Sequence, residues 1–169
     1  MVELLEVLRN KEDNMKYPKT KEVLNQLVAD LTQMHMIVHQ HHWYMRGNRF
    51  LKLHPYLDDV MAELASQLDY VSERLVTLDG SPVSTLGEIV EKTKIPDEKG
   101  NWDETIDERY AKIVDGYHYL DKLYEKGIEV SAEEGDDSTN DMLISFHTAI
   151  EKRIWMMSAE INKAPNLDK

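Results

Sequence analysis

Apolar positions recur along this chain at a three-four spacing in four long segments, with the turn-forming residues falling between them. From about Thr20 to Arg46 the apolar face is Leu24, Leu27, Val28, Leu31, Met34, Val38 and Met45, and Gly47 ends the run. A second helix is predicted from Pro55, whose fixed φ suits a first turn, to about Leu78. Its stripe is Leu57, Val60, Leu64, Leu68, Val71, Leu75 and Leu78, and Asp79-Gly80-Ser81-Pro82 stops it. A third runs from about Asp103 to Gly127 through Ile106, Tyr110, Ile113, Tyr117, Leu120 and Tyr124. The fourth starts near Ser138 and carries Leu143, Phe146, Ile150, Ile154, Met157 and Ile161.

Between the second and third segments, Ser84 to Asn101 is predicted as a connection with a short helix, because Thr85 and Glu88 have capping-box spacing. Four amphipathic helices with one longer middle crossover describe an all-α, ferritin-like four-helix bundle with a short extra helix in the crossover between helices 2 and 3. The bundle is assigned to residues 21–163, after an N-terminal tail of residues 1–20, either mobile or a short helix, and before a C-terminal tail of residues 164–169.

Composition narrows the function classes. The formal net charge is -12, which argues against a general affinity for DNA or anionic membranes and suits a protein that collects cations. There is no cysteine, so thiolate metal sites and disulfides are excluded. The N-terminus lacks the basic-then-apolar order of a secretory signal, and no run has the length of a membrane span. A soluble, cytoplasmic protein is expected.

The stretch from His42 to Glu73 carries five metal-type ligands, His42, His54, Asp58, Asp69 and Glu73, a set of imidazoles and carboxylates that suits iron better than a structural zinc. With His54 at the origin of the second helix and about 100° per residue, the core stripe falls between about 240° and 320°. Asp58, Asp69 and Glu73 fall at about 40°, 60° and 100°, a separate strip beside it. The midpoint of His54 and Asp58 lies roughly 22 Å along the helix from the midpoint of Asp69 and Glu73, while ligands must sit about 2 Å from an ion. One helix cannot bring both ends to one metal. An antiparallel copy related by a two-fold axis can, with two equivalent sites as the result. Ala62 and Ala65 lie near the crossing point, where small side chains permit close approach, and His42 points inward from the first helix to complete the first half-site.

The sequence resembles the Dps family of dodecameric mini-ferritins, and especially the Dps-like peroxide-resistance proteins of Gram-positive bacteria. The blocks that carry the resemblance are H-Q-H-H-W-Y-M-R-G with F-L-K-L-H-P-Y-L-D-D, L-D-Y-V-S-E-R-L-V-T-L-D-G-S-P with S-T-L-G-E, E-E-G-D-D-S-T-N-D-M-L, and E-K-R-I-W-M. It implies a ferroxidase centre holding iron (Fe2+/Fe3+), a site other divalent metals such as zinc also enter. His42, His54 and Asp58 would come from one subunit and Asp69 and Glu73 from its mate. It further implies Fe(II) oxidation, preferentially by hydrogen peroxide, with ferric mineral stored inside a twelve-subunit shell. Trp43 would pack near the centre. Asp137 and Asp141 match positions of an iron pore on a three-fold axis, where three copies of each focus a negative potential. Some relatives carry a further acid where this chain has Ala132.

The remaining features add less. His35, His39 and His42 share a helix face, with His41 adjacent; a secondary metal site is conceivable there, but packing is favoured. His118 and His147 stand alone in the sequence. Residues 1–22 hold as many acids as bases, so no basic tail is present to grip DNA, and DNA binding is not expected. The competing reading is a DNA-protecting, nucleoid-associated shell with little ferroxidase activity. A ferritin-like oxygenase or catalase is disfavoured, since no E-x-x-H motif occurs.

Overall fold

The computed structural model describes residues 15–168, which form five helices and no strand. They are α1 (Pro18–Tyr44), α2 (Phe50–Thr77), α3 (Leu86–Lys92), α4 (Ile106–Glu134) and α5 (Asp137–Glu160). The four-helix bundle with a short helix in the crossover is as expected. The tail assigned to residues 1–20 falls largely outside the described residues. No helix among the described residues is long and apolar enough to cross a membrane.

The short links between α1 and α2 and between α4 and α5 make each pair an antiparallel hairpin, and the hairpins close on each other through α1 and α4. Every apolar position read from the first helix is buried, and on α2 Leu57, Val60, Leu64, Val71 and Leu75 are at most 1% exposed. Tyr110, Tyr117, Leu120 and Tyr124 fill the α4 side of the same core. Tyr124 is buried with its hydroxyl donating to Gln67 Oε1 at 2.8 Å, so the polar end of the ring is satisfied inside the bundle.

Two boundaries differ from the sequence reading. Helix α2 begins at Phe50, so Pro55 lies inside it and not at its start. Proline removes the N–H that the Leu51 carbonyl would accept, but Leu51 is 88% exposed, and water can serve this stretch. Helix α4 continues past Gly127 to Glu134. A Cβ on Gly127 would meet Leu143 Cδ1 at 2.8 Å and Val23 Cγ1 at 3.2 Å, so this glycine marks the close approach of three helices and not a helix end. The true stop is Gly135, at φ 71°, whose left-handed conformation turns the chain into α5.

The crossover is held by one buried carboxylate. Asp30, on α1 and fully buried, accepts from Thr93 Oγ1 at 2.8 Å, Lys94 N at 2.7 Å and the Tyr119 hydroxyl at 2.8 Å. Its charge is thereby compensated by three donors from two other parts of the chain.

Candidate metal centre

The α1–α2 hairpin places His42 and His54 face to face, their rings stacked at 3.6 Å between centroids. His42 Nδ1 lies 3.1 Å from the His54 carbonyl oxygen, and His54 Nδ1 lies 3.1 Å from the His42 carbonyl oxygen. A carbonyl oxygen only accepts, so each Nδ1 carries the hydrogen and donates. In the neutral rings the lone pair then sits on Nε2, the form in which imidazole binds a metal. Phe50 stacks on the other face of His54 at 4.6 Å and fixes the ring plane. His42 Nε2 is 3.6 Å from Asp58 Oδ1, and the Asp58 side chain is exposed. His42 thus neighbours two of the other four expected ligands, His54 across the stacked rings and Asp58 through Nε2.

Asp69 and Glu73 do not join them. They lie farther along α2, on an exposed strip that also includes Asp58, Ala62 and Ala65. Because α2 is continuous from Phe50 to Thr77, the separation of roughly 22 Å between the two ends of the strip stands. Asp69 lines a crevice between α1 and α2 with Thr32, His35, Ala65, Leu68 and Ser72.

The other histidines of α1 divide between two faces. His39 packs edge-on against His35 at 4.9 Å and stacks on Trp43 at 5.0 Å. Burial and the neighbouring His39 lower the pKa of His35. His41 is buried on the opposite side, 4.0 Å from Glu104, and burial lowers its pKa to about 4 although Glu104 pulls the other way. Trp43 is 56% exposed on this single chain.

At the N-terminus of α5 the neighbouring aspartates are sorted by role. Asp136 is buried and caps the helix, accepting from Thr139 N at 3.2 Å and from Arg74 Nη2 at 2.6 Å. Asp137 and Asp141, the two expected pore residues, are exposed one turn apart. The structural use of aspartate at a helix start thus falls on Asp136 and leaves the other two facing solvent.

One cluster was not anticipated. Among the described residues, Asp121, His147 and Glu151 present ligand atoms that all lie within 4.8 Å of one another. His147 is therefore not solitary. Its partner is on a different helix, and no sequence spacing connects the two.

The family model for the ferritin-like domain matches residues 21–167. The "DNA protection during starvation protein" of Streptococcus suis is 48% identical over 148 residues, covering 88% of this chain and 86% of that relative. The chain belongs to the Dps group of the ferritin-like family. The like-named protein of Listeria innocua is 44% identical over 146 residues, covering 86% of this chain and 94% of the relative. Among solved structures, Dps from Listeria monocytogenes is similar with a TM-score of 0.85 at 43% identity, over 86% of this chain and 95% of that one. Dps from Listeria innocua soaked with cobalt is similar at the same TM-score of 0.85 and 44% identity, over 86% and 94%. This Dps-family chain therefore shares its fold with its relatives over most of both lengths.

Proposed function

We propose that this chain builds an iron-storage and detoxification shell that oxidises Fe(II), preferentially with hydrogen peroxide, at centres shared between two subunits. Each centre takes His42, His54 and Asp58 from one subunit and Asp69 and Glu73 from its two-fold mate, and ferric mineral is kept inside a dodecamer. The observation that carries this reading is the pair of reciprocal Nδ1–carbonyl contacts, which leaves the Nε2 of both rings free for a metal, that of His42 3.6 Å from Asp58 Oδ1. The exposed Asp69 and Glu73 at the far end of the same strip are the complementary half.

Iron is the substrate. Neutral imidazoles and hard carboxylates accept both Fe(II) and Fe(III), so the oxidised product is not expelled before it hydrolyses. Two ferrous ions give one electron each to one hydrogen peroxide, whose O–O bond breaks to yield two hydroxide ions. Both reagents of hydroxyl-radical formation are consumed together. Asp137 and Asp141, repeated around a three-fold axis, would draw cations inward.

A second reading, a DNA-protecting shell, is favoured by what the relatives are called. The net charge of -12 weighs against direct phosphate binding. Mixing the apo protein with ferrous salt and peroxide separates the two. Rapid oxidation to a soluble ferric product supports the shell that stores iron. Slow oxidation together with salt-sensitive retardation of DNA at about 0.15 M salt supports the alternative.

A further inference from the structure

The Asp121–His147–Glu151 cluster lies on α4 and α5, helices that contribute nothing to the proposed iron centre. His147 and Glu151 are one turn apart and share a face of α5, while Asp121 reaches them from α4. The Asp121 side chain is 3% exposed and that of His147 17%, so the pair is withdrawn from water.

The geometry within the pair points to a third participant. Asp121 Oδ1 and His147 Nε2 are 2.9 Å apart, a hydrogen-bonding distance. Yet both atoms are buried without a hydrogen-bond partner, so they are close but misaligned. Two ligands of one ion look like this, because each points at the ion and not at the other. The spacing also selects the geometry. Ligand atoms about 2.1 Å from an ion are about 3.0 Å apart at a right angle and about 3.4 Å apart at the tetrahedral angle. The observed 2.9 Å matches the right-angle spacing more closely than the tetrahedral one.

The other oxygen of Asp121 is engaged elsewhere: Lys122 Nζ approaches Oδ2 at 3.5 Å and is itself paired with Glu125 Oε2 at 3.1 Å. Oδ1 alone is left for a ligand. We infer that Asp121, His147 and Glu151 form a second metal site, separate from the intersubunit iron centre, that binds one divalent first-row cation of octahedral preference in each subunit. One imidazole and two carboxylates suit Mn(II), Fe(II) or Co(II), and three positions remain for water. A tetrahedral Zn(II) fits the short edge less well.

The test uses the full assembled protein with Co(II) and Mn(II) as probes. Crystals soaked in each, measured on both sides of the absorption edge, should give an anomalous peak among Asp121 Oδ1, His147 Nε2 and the Glu151 carboxylate. Calorimetric titration should show one Co(II) fewer per subunit in H147Q and in E151Q than in the unaltered chain, with Fe(II) oxidation within twofold of it. E151Q leaves the buried Asp121–His147 pair intact, so it remains informative if H147Q does not fold. No peak at the cluster, or an unchanged Co(II) count in E151Q, overturns the site. A peak obtained with Zn(II) but with neither probe overturns the octahedral assignment.

Discussion

His42 and His54 hold each other's tautomer: each Nδ1 donates to the other's backbone carbonyl across the α1–α2 hairpin at 3.1 Å. The helix backbone thus determines which ring nitrogen is left free to bind a metal, and no separate carboxylate is needed to orient either imidazole. Asparagine at either position keeps a donor near the Nδ1 location and deletes Nε2. H42N and H54N should therefore fold normally and lose Fe(II) oxidation by roughly tenfold or more, since even groups that only orient a ligand are worth about 10–100-fold. Stopped-flow oxidation beside circular dichroism checks this; full activity in H54N would remove His54 from the site.

The start of α1 is capped from a distance. Tyr17, at the N-cap position, offers the helix no side-chain capping bond, and Glu134 at the end of α4 accepts from Lys19 N at 3.0 Å and Thr20 N at 2.9 Å. Burial alone would raise the Glu134 pKa, but the hydrogen bonds from the backbone amides of Thr20 and Lys19 bring it below the ordinary value of 4.5. E134Q should cost about 1 kcal/mol, the usual worth of a helix cap, seen as a lower melting temperature.

The same group sets the sign of the pH dependence. Glu160 is also held low, first by Lys52 and further by Arg49. For both acids the folded chain binds protons less readily than the unfolded chain. Their contribution is complete above pH 4.5 and is lost as the pH falls through the lower folded values. Melting curves should show E134Q with a shallower loss of stability below pH 4.5 than the unaltered chain.

Arg74 and the exposed aspartates of the α5 N-terminus separate stability from the proposed ion traffic. Arg74 binds Asp136 at 2.6 Å and Thr139 Oγ1 at 2.8 Å, so R74M leaves the buried Asp136 carboxylate with the neutral donors of Thr139 and no cation, and should cost about 1–3 kcal/mol. D137N with D141N touches neither bond. It should leave the melting temperature unchanged and slow iron uptake by about tenfold at low ionic strength, with the difference shrinking as salt is added.

Much of this arrangement was legible in the sequence because helix periodicity is a local property. The α2 core stripe and the exposed strip of Asp58, Ala62, Ala65, Asp69 and Glu73 both follow from one angular step, and both occur. Where local signals have two meanings the reading failed. Pro55 suits a first turn but also survives at an exposed position inside a helix, and Gly127 reads as a stop although its role is close packing against Leu143 and Val23. The Asp121–His147 contact was illegible for a different reason: it depends on how α4 and α5 are rotated against each other, which no single helix records.

The sharing of one centre between two subunits is tested most directly by mixing two inactive variants. D58A and E73A each damage every site when assembled alone. In a mixed pair, one site receives the intact Asp58 half from the E73A chain and the intact Glu73 half from the D58A chain. Random reassortment makes about half the pairs mixed, each with one intact site, so about a quarter of the original oxidation rate should return. Recovery near that level after dissociating and reassembling an equal mixture is the predicted result. A reassembled mixture as inactive as either variant alone would contradict the shared centre.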